Sequence, residues 1–328
     1  MRAISESVSD DAHIAAAARD ARCPEVAVLV PCRNEARTVE RVVTESIAAL
    51  PDCRVYVYDN GSTDGTSEIA RAAGATVRRE ERPGKGGVVR RMFAEIEADV
   101  YVLVDGDATY DVKSAPRLVA TLLENDLDMV TAVREEEGRE GAYRRGHRTG
   151  KHAFNWLLGT LFGKEPADVF SGYRAFSRRF VKSFPASSHG FEIETEMTVH
   201  ALEQRFPTSE IRTPYFERYE GSSSKLSTYR DGLRVLLMTI VLFKDQRPLA
   251  FFGIISGMFA LIGLALGGSV VLEYMETGLV PRFPTAILAT GLMILAFLSL
   301  ACGLILDSVA RGRRESKRLA YLAQCVRR

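Results

Sequence analysis

Short apolar runs alternate with helical patterns through the first half of the chain, and two long apolar runs dominate its last third. Glu25–Val30, Arg54–Tyr58, Ala75–Arg78, a run from Val100 and Met129–Val133 are strand-length and rich in β-branched residues. Between them, Val39, Val42, Val43, Ile47 and Leu50 recur at helical spacing within Thr38–Leu50. Thr66–Ala73 reads as a helix with Asp64 or Ser62 as its cap, a third helix leaves the Pro83–Gly87 loop and ends near Ala98, and a fourth covers Ser114–Glu124. This alternation predicts a parallel sheet with helices on both faces. Further on, Arg148–Phe162 and Glu192–Gln204 read as helices, Val169–Phe176 as a strand or loop, and Glu210–Phe216 as a strand.

Leu249–Leu272 and Thr285–Leu306 contain no charged residue. Each exceeds the roughly 20 residues that cross a hydrocarbon core, which predicts two transmembrane helices. The connection between them carries Glu273, Glu276 and Arg282, while Arg230, Arg234, Lys244 and Arg247 precede the pair and Arg311, Arg313, Arg314, Lys317 and Arg318 follow it. That bias puts both termini and the polar part of the chain in the cytoplasm. Val235–Phe243, apolar but too short to span, reads as a helix lying in the interface or packed on the polar part. Gly253/Gly257 and Gly263/Gly267 are spaced for close helix approach, either between copies of the chain or within one. The resulting division is a tail over 1–24, an α/β domain over 25–228, an interfacial region over 229–248, helices over 249–272 and 285–306, and a basic tail over 307–328.

With 43 Lys and Arg against 42 Asp and Glu, the chain has no global basic field, which argues against nucleic acid as a partner. Its five cysteines, at 23, 32, 53, 302 and 325, have no metal-knuckle or redox spacing and read as free thiols. The first residues lack the apolar stretch of a signal peptide.

Candidate chemistry concentrates at three strand ends. Val100–Asp107 runs from a buried strand into Asp105-Gly106-Asp107. Paired hard oxygen donors at the carboxyl end of a central strand suit a divalent cation bridging to a diphosphate, and Gly106 lets a ligand approach the backbone. Loops 31–35 and 59–65 add Asn34, Glu35, Asp59 and Asn60 beside them. Together they predict a nucleotide cleft. Pro83-Gly84-Lys85-Gly86-Gly87 lacks Walker spacing, but its glycines allow close approach and Lys85 can meet a phosphate. No Ser-His or Cys-His pairing stands out, and His189 and His200 read as structural.

The ordered set Val30-Pro31-Cys32-Arg33-Asn34-Glu35, Asp59-Asn60-Gly61-Ser62-Thr63-Asp64-Gly65-Thr66, Pro83-Gly84-Lys85-Gly86 and Asp105-Gly106-Asp107 resembles family-2 nucleotide-sugar glycosyltransferases of the GT-A fold. Phe170-Ser171-Gly172-Tyr173-Arg174 and Gly221-Ser222-Ser223-Ser224-Lys225-Leu226 resemble the polyprenyl-phosphate branch, which includes dolichol-phosphate mannose and glucose synthases. The resemblance spans about Glu25 to the second apolar run. It implies a Rossmann-like, mostly parallel α/β sheet and an inner or plasma membrane enzyme. Pro31, Arg33 and Glu35 would line base and ribose, with Arg33 standing where an aromatic residue is common, and Asp59 would accept a base N–H. Asp105 and Asp107 would hold Mg²⁺ or Mn²⁺. Thr109 replaces a Gln ligand of some relatives, so a water would complete the shell. For the acceptor phosphate the candidates are Arg134, Arg148, Lys151, Arg218, Ser224 and Lys225, with Asp168 orienting Arg174 or approaching the reacting sugar. The resemblance also implies a homo-oligomer, a tetramer in relatives.

An ionised lipid phosphate can attack the sugar C1 directly, so no general base is required and direct attack inverts the anomeric centre. A processive polysaccharide synthase is the second reading. Its Gln-x-x-Arg-Trp motif is absent, the one Trp, Trp156, following Phe154-Asn155. A non-catalytic scaffold for a lipid flippase is the third, and the intact aspartate pair argues against it. A UDP-hexose is favoured over a GDP-sugar on resemblance alone.

Overall fold

A computed structural model describes residues 23–136, 158–160, 163, 166–186, 193–216 and 240–324. Expectations placed on the first 22 residues, on most of 148–162 and on 217–239 lie outside them. The described residues fall into two compact units, one drawn from 23–136, 166–216 and 317–324, the other from 158–160, 163 and 240–316.

The first unit is a sheet with helices on both faces. Its elements are β1 (Val26–Cys32), α1 (Val39–Ala49), β2 (Arg54–Asp59), α2 (Thr66–Ala72), β3 (Thr76–Arg79), α3 (Lys85–Glu95), β4 (Val100–Leu103), a 3₁₀ turn (Val112–Ser114), α4 (Ala115–Glu124), β5 (Met129–Glu136), β6 (Arg174–Ser177), α5 (Arg178–Ser183), α6 (Ile193–Gln204) and β7 (Thr208–Tyr215). Strand order is β3-β2-β1-β4-β6-β5-β7. The first four strands pair in parallel, as does β5 with β7, but β6 runs antiparallel to both β4 and β5. The sheet is therefore mixed rather than wholly parallel. The expected strand or loop at 169–176 resolves into a turn followed by β6.

Alternation along β1 builds both layers. Val26, Val28 and Val30 join Val39, Val42 and Val43 of α1 and Leu118, Val119 and Leu122 of α4 in one core. Ala27 and Leu29 join Val88, Val89, Met92 and Phe93 of α3, Phe180 of α5 and Met197 of α6 in the other. A strand buried on both faces must be apolar at every position, which is why β1 and β4 read as continuous hydrophobic runs. Each such Val or Leu contributes about 1.5–3 kcal/mol of burial.

In the second unit, α7 (Pro248–Thr277) and α8 (Phe283–Leu322) are long and apolar enough to cross a membrane, and they extend the expected spans at their ends. They pack antiparallel through small residues. Ala289, Ala296, Gly303 and Ala310 are the buried positions of α8 and recur every seven residues. Gly263 receives Leu292 and Met293, Gly267 meets Ala289, Gly303 receives Phe252, and the Ser256 hydroxyl donates to the Ala296 carbonyl at 2.7 Å. Gly263/Gly267 thus serve the intrachain contact, whereas nothing lies within 4 Å of a Cβ built at Gly253 or Gly257.

The expected basic tail is helical through Leu322, and its last turns belong to the first unit. There Lys317 Nζ pairs with Glu203 at 2.8 Å, the Tyr321 hydroxyl donates to Asp128 at 2.7 Å, and the Tyr321 ring stacks on Phe206 with centroids 4.4 Å apart.

Candidate active site

The strand order reverses direction between β1 and β4, and the ends of these neighbours carry the Asp105-Gly106-Asp107 turn. The turn is fixed from several sides. Val104 N–H donates to the Leu29 carbonyl at 3.0 Å, and the buried Thr38 hydroxyl, just before α1, donates to the Gly106 carbonyl at 2.7 Å. A Cβ at Gly106 would overlap Cys32 Sγ, so only glycine lets the turn sit against β1. Ala108 adopts a left-handed φ of 55°, and Asp107 Oδ1 accepts from the Thr109 N–H at 3.2 Å and hydroxyl at 2.7 Å. Pro31 and Cys32, expected in a loop, are the last residues of β1.

Lys85 stands at the first position of α3 rather than in the preceding loop. Its ammonium lies 2.5 Å from Asp105 Oδ1 and 2.5 Å from Glu194 Oε1 on α6. Burial works against this ammonium, but the two carboxylates outweigh it and hold its pKa above the ordinary lysine value. Burial pushes the Asp105 carboxyl up to about 6 against the pull of Lys85, with Asp107 and Glu194 adding repulsion. On its other side Asp105 Oδ2 fills the space where a Cβ of Gly172 would stand. The Gly172 N–H donates to the Tyr110 hydroxyl at 2.9 Å. Glu194 Oε2 is buried and has no hydrogen-bond partner among the described residues.

The remaining loops are stapled to one another by side chains. Asn34, at a left-handed φ of 57°, donates its N–H to Ser62 Oγ at 2.8 Å and accepts from the Thr63 N–H at 3.0 Å. Glu35 and Ala36 N–H groups donate to Thr66 Oγ1 and Asp64 Oδ2. Asp64 bonds the Thr66 N–H as expected, although Gly65, with φ 85°, occupies the cap position of α2. Asn60 donates to the Glu80 and Arg82 carbonyls and accepts from the Gly84 N–H at 2.8 Å, holding the loop that delivers Lys85. Asp59 is buried and accepts from the Ser62 N–H at 2.8 Å and the Ser67 hydroxyl at 2.5 Å. Its role in organising this loop is visible directly. Pro31 and Glu35 are half-buried beside it and Arg33 is exposed.

Arg134 on β5 and Asp168 form a two-pronged pair, Nε to Oδ2 at 2.7 Å and Nη2 to Oδ1 at 2.9 Å. Burial acts against the guanidinium, but Asp168 holds its pKa above the ordinary value. Arg134 also lies over the Tyr215 ring, 5.4 Å from its centroid, and Tyr215 packs edge-on against Tyr110 at 5.2 Å. Asp168 thus orients Arg134. The hydrogen bonds of Arg174 go to Ser171, Val169 and Thr198 instead. Arg148, Lys151, Arg218, Ser224 and Lys225 lie outside the described residues.

The donor set fits a divalent cation bound jointly with a ligand. Asp105 and Asp107 offer hard oxygens, Glu194 Oε2 has no hydrogen-bond partner among the described residues, and Lys85 contacts both Asp105 and Glu194. No group of three His, Cys, Asp or Glu among the described residues is disposed to hold a metal alone. Diphosphate oxygens and water would complete the shell. Thr109 is buried and gives its proton to Asp107, holding that carboxylate in place.

Glu194, Tyr110 and Thr38 are residues that motif reading missed, and Gly172 was read only as part of a motif, without its contact to Asp105. Glu194 sits on a helix whose polar and apolar residues show no clean stripe, and the others act through contacts distant in sequence.

Residues 27–184 match the family described as glycosyl transferase family 2. Glycosyltransferase AglJ of Haloferax volcanii is 32% identical over 299 residues, covering 90% of this chain and 98% of the relative. A dolichyl-phosphate hexose transferase of the same organism is 28% identical over 64% of this chain and 90% of its own. Among solved structures, glucosyl-3-phosphoglycerate synthase from Mycobacterium tuberculosis, in complex with Mn²⁺, UDP-glucose and phosphoglyceric acid, is 25% identical with a TM-score of 0.54, covering 68% of this chain and 81% of that one. The mixed α/β sheet is the GT-A fold, its strand-end loops carry the nucleotide-sugar motifs, and the chain is a glycosyltransferase belonging to glycosyl transferase family 2.

Proposed function

We propose that this enzyme transfers a single hexose from a nucleotide sugar, a UDP-hexose in preference to a GDP-sugar, to a polyprenyl phosphate at the cytoplasmic face of a membrane. The observation that carries this reading is Asp105 wedged between Lys85 and Gly172, with Asp107 beside it and the Arg134–Asp168 pair connected through Tyr110 and Tyr215. The two apolar helices and the dolichyl-phosphate hexose transferase relative support a lipid acceptor.

In this reading the loops 33–36 and 59–66 take the nucleoside, with Asp59 accepting from the base. Asp105 and Asp107 hold Mg²⁺ or Mn²⁺, which when bound neutralises charge on the leaving diphosphate. Lys85 meets the same diphosphate from the start of α3, and the Glu194 oxygen left free accepts from a sugar hydroxyl. Arg134, with its fork pre-oriented by Asp168, receives the acceptor phosphate. An acceptor oxygen already ionised at neutral pH attacks C1, so alignment and charge stabilisation supply the catalysis and the anomeric centre inverts. Incubating the purified enzyme with a panel of nucleotide sugars and a short polyprenyl phosphate tests the proposal. A glycosyl-phosphate lipid from one donor supports it. Transfer only to a growing glycan, or none at all, overturns it.

A further inference from the structure

Among the described residues Arg174 is the largest side chain that is wholly buried, yet its guanidinium pairs with no carboxylate there. It lies on β6 opposite Leu103 of β4, two residues before Asp105, and opposite Thr131 of β5. Nε donates to the Ser171 carbonyl at 2.9 Å, Nη2 to the Val169 carbonyl at 2.7 Å and Nη1 to Thr198 Oγ1 at 2.8 Å, with Met129 Sδ 3.5 Å from Nη1. Thr198 passes its own proton to the Glu194 carbonyl at 3.1 Å.

The bonds to Ser171, Val169 and Thr198 reach two supports of the site. The first is the 168–172 turn. It carries Asp168 against Arg134 and Gly172 against Asp105, and Ser171 Oγ pins it to the Ala132 carbonyl at 2.6 Å. The second is the first turn of α6, which carries Glu194 to Lys85. A buried cation without an ion pair is unfavourable for stability, and an apolar residue of similar volume would pack this position at lower cost. Lysine would not replace it, because three acceptors are held at once by the planar fork. We propose that Arg174 is a positioning residue for sugar transfer, one guanidinium setting both the turn that cradles Asp105 and the helix that presents Glu194. The role deepens the proposed function and rests on it for its kinetic readout.

The test compares Arg174→Lys, Thr198→Val and Thr198→Ser in the full-length enzyme. Thr198→Val removes the link to α6 while keeping size and the arginine; Thr198→Ser keeps the hydroxyl. Thr198→Val should lower kcat about tenfold and Arg174→Lys about a hundredfold, with KM for the nucleotide sugar little changed, because orientation rather than base binding is lost. Thr198→Ser should return kcat to near the wild-type value. In parallel, hydrogen exchange at the Gly172 amide, which donates to Tyr110, should quicken in Arg174→Lys. Wild-type kcat in Thr198→Val, or wild-type exchange at Gly172 in Arg174→Lys, overturns the role. So does a loss of activity in Thr198→Val that a lowered folded fraction fully accounts for. Should Arg174→Lys not fold, the Thr198 pair decides alone. A wild-type enzyme inactive on every donor overturns the proposed function, while the exchange comparison still decides whether Arg174 sets the turn.

Discussion

Gly172 shows how one absent carbon shapes this site. The Asp105 carboxylate occupies the volume a Cβ would take, and the turn around it is too closely bonded to retreat freely. Gly172→Ala should therefore displace Asp105 and cut kcat about a hundredfold, since small misplacements at a reacting centre have effects of that order. Its KM for the nucleotide should change less than its kcat, and steady-state kinetics separate the two. Asp107→Asn is the complementary change. The amide oxygen keeps both Thr109 bonds, so the turn persists and stability should stay within about 0.5 kcal/mol. The charge is lost, and transfer stimulated by Mn²⁺ should disappear. A variant fully active in EDTA would remove Asp107 from the metal site.

Among the elements, α6 was legible as a helix over Glu192–Gln204, but its functional face was not, and that face is the most telling in the structure. Its described residues from Ile193 to Ala201 are nearly all covered, so no amphipathic stripe marks a functional face. His200 lies in a cage of Phe180, Phe184 and Phe206, with ring centroids 5.3–5.4 Å away, and neither ring nitrogen has a hydrogen-bond partner among the described residues. Burial, aided by Lys317, lowers its pKa to about 3. Lys317 is itself paired with Glu203. Between about pH 6.5 and 3 the unfolded chain binds a proton that the folded chain refuses, so this group's contribution is complete above about 6.5 and is lost as the pH falls, by up to about 1.4 kcal/mol per unit. His200→Phe should flatten that loss. Thermal midpoints at pH 7.5 and 5 should show the variant's relative stability rising at the lower pH, and an unchanged difference would contradict the assignment. By contrast α1 was readable from Val39, Val42 and Val43, and β1 and β4 from unbroken β-branched runs, because burial there follows simple periodicity. The strand reading at 169–176 overlapped β6, but its antiparallel pairing was not readable. Its partners β4 and β5 precede it by dozens of residues, and no short turn announces the pairing.

For the whole molecule the charge distribution sets the expected topology. Glu273, near the end of α7, pairs with Arg282 in the connection to α8, while Arg and Lys outnumber Asp and Glu at the outer ends of the two helices. With Cys23 and Cys302 replaced, a cysteine at Thr277 should react with an impermeant maleimide added to intact cells and one at Ser316 should not. The opposite pattern would reverse the orientation.

The pairing of Tyr321 with Asp128 and Phe206 also has a consequence in time. A ribosome delivers Asp128 and Phe206 long before it delivers Tyr321, with both long apolar helices translated in between. The sheet can form early, but the Phe206 ring waits for its stacking partner until both apolar helices have been made. A nascent chain arrested before Lys317 should be cleaved by a protease within the first unit faster than the finished protein. The stacking of Tyr321 on Phe206 would then report that both apolar helices have been made.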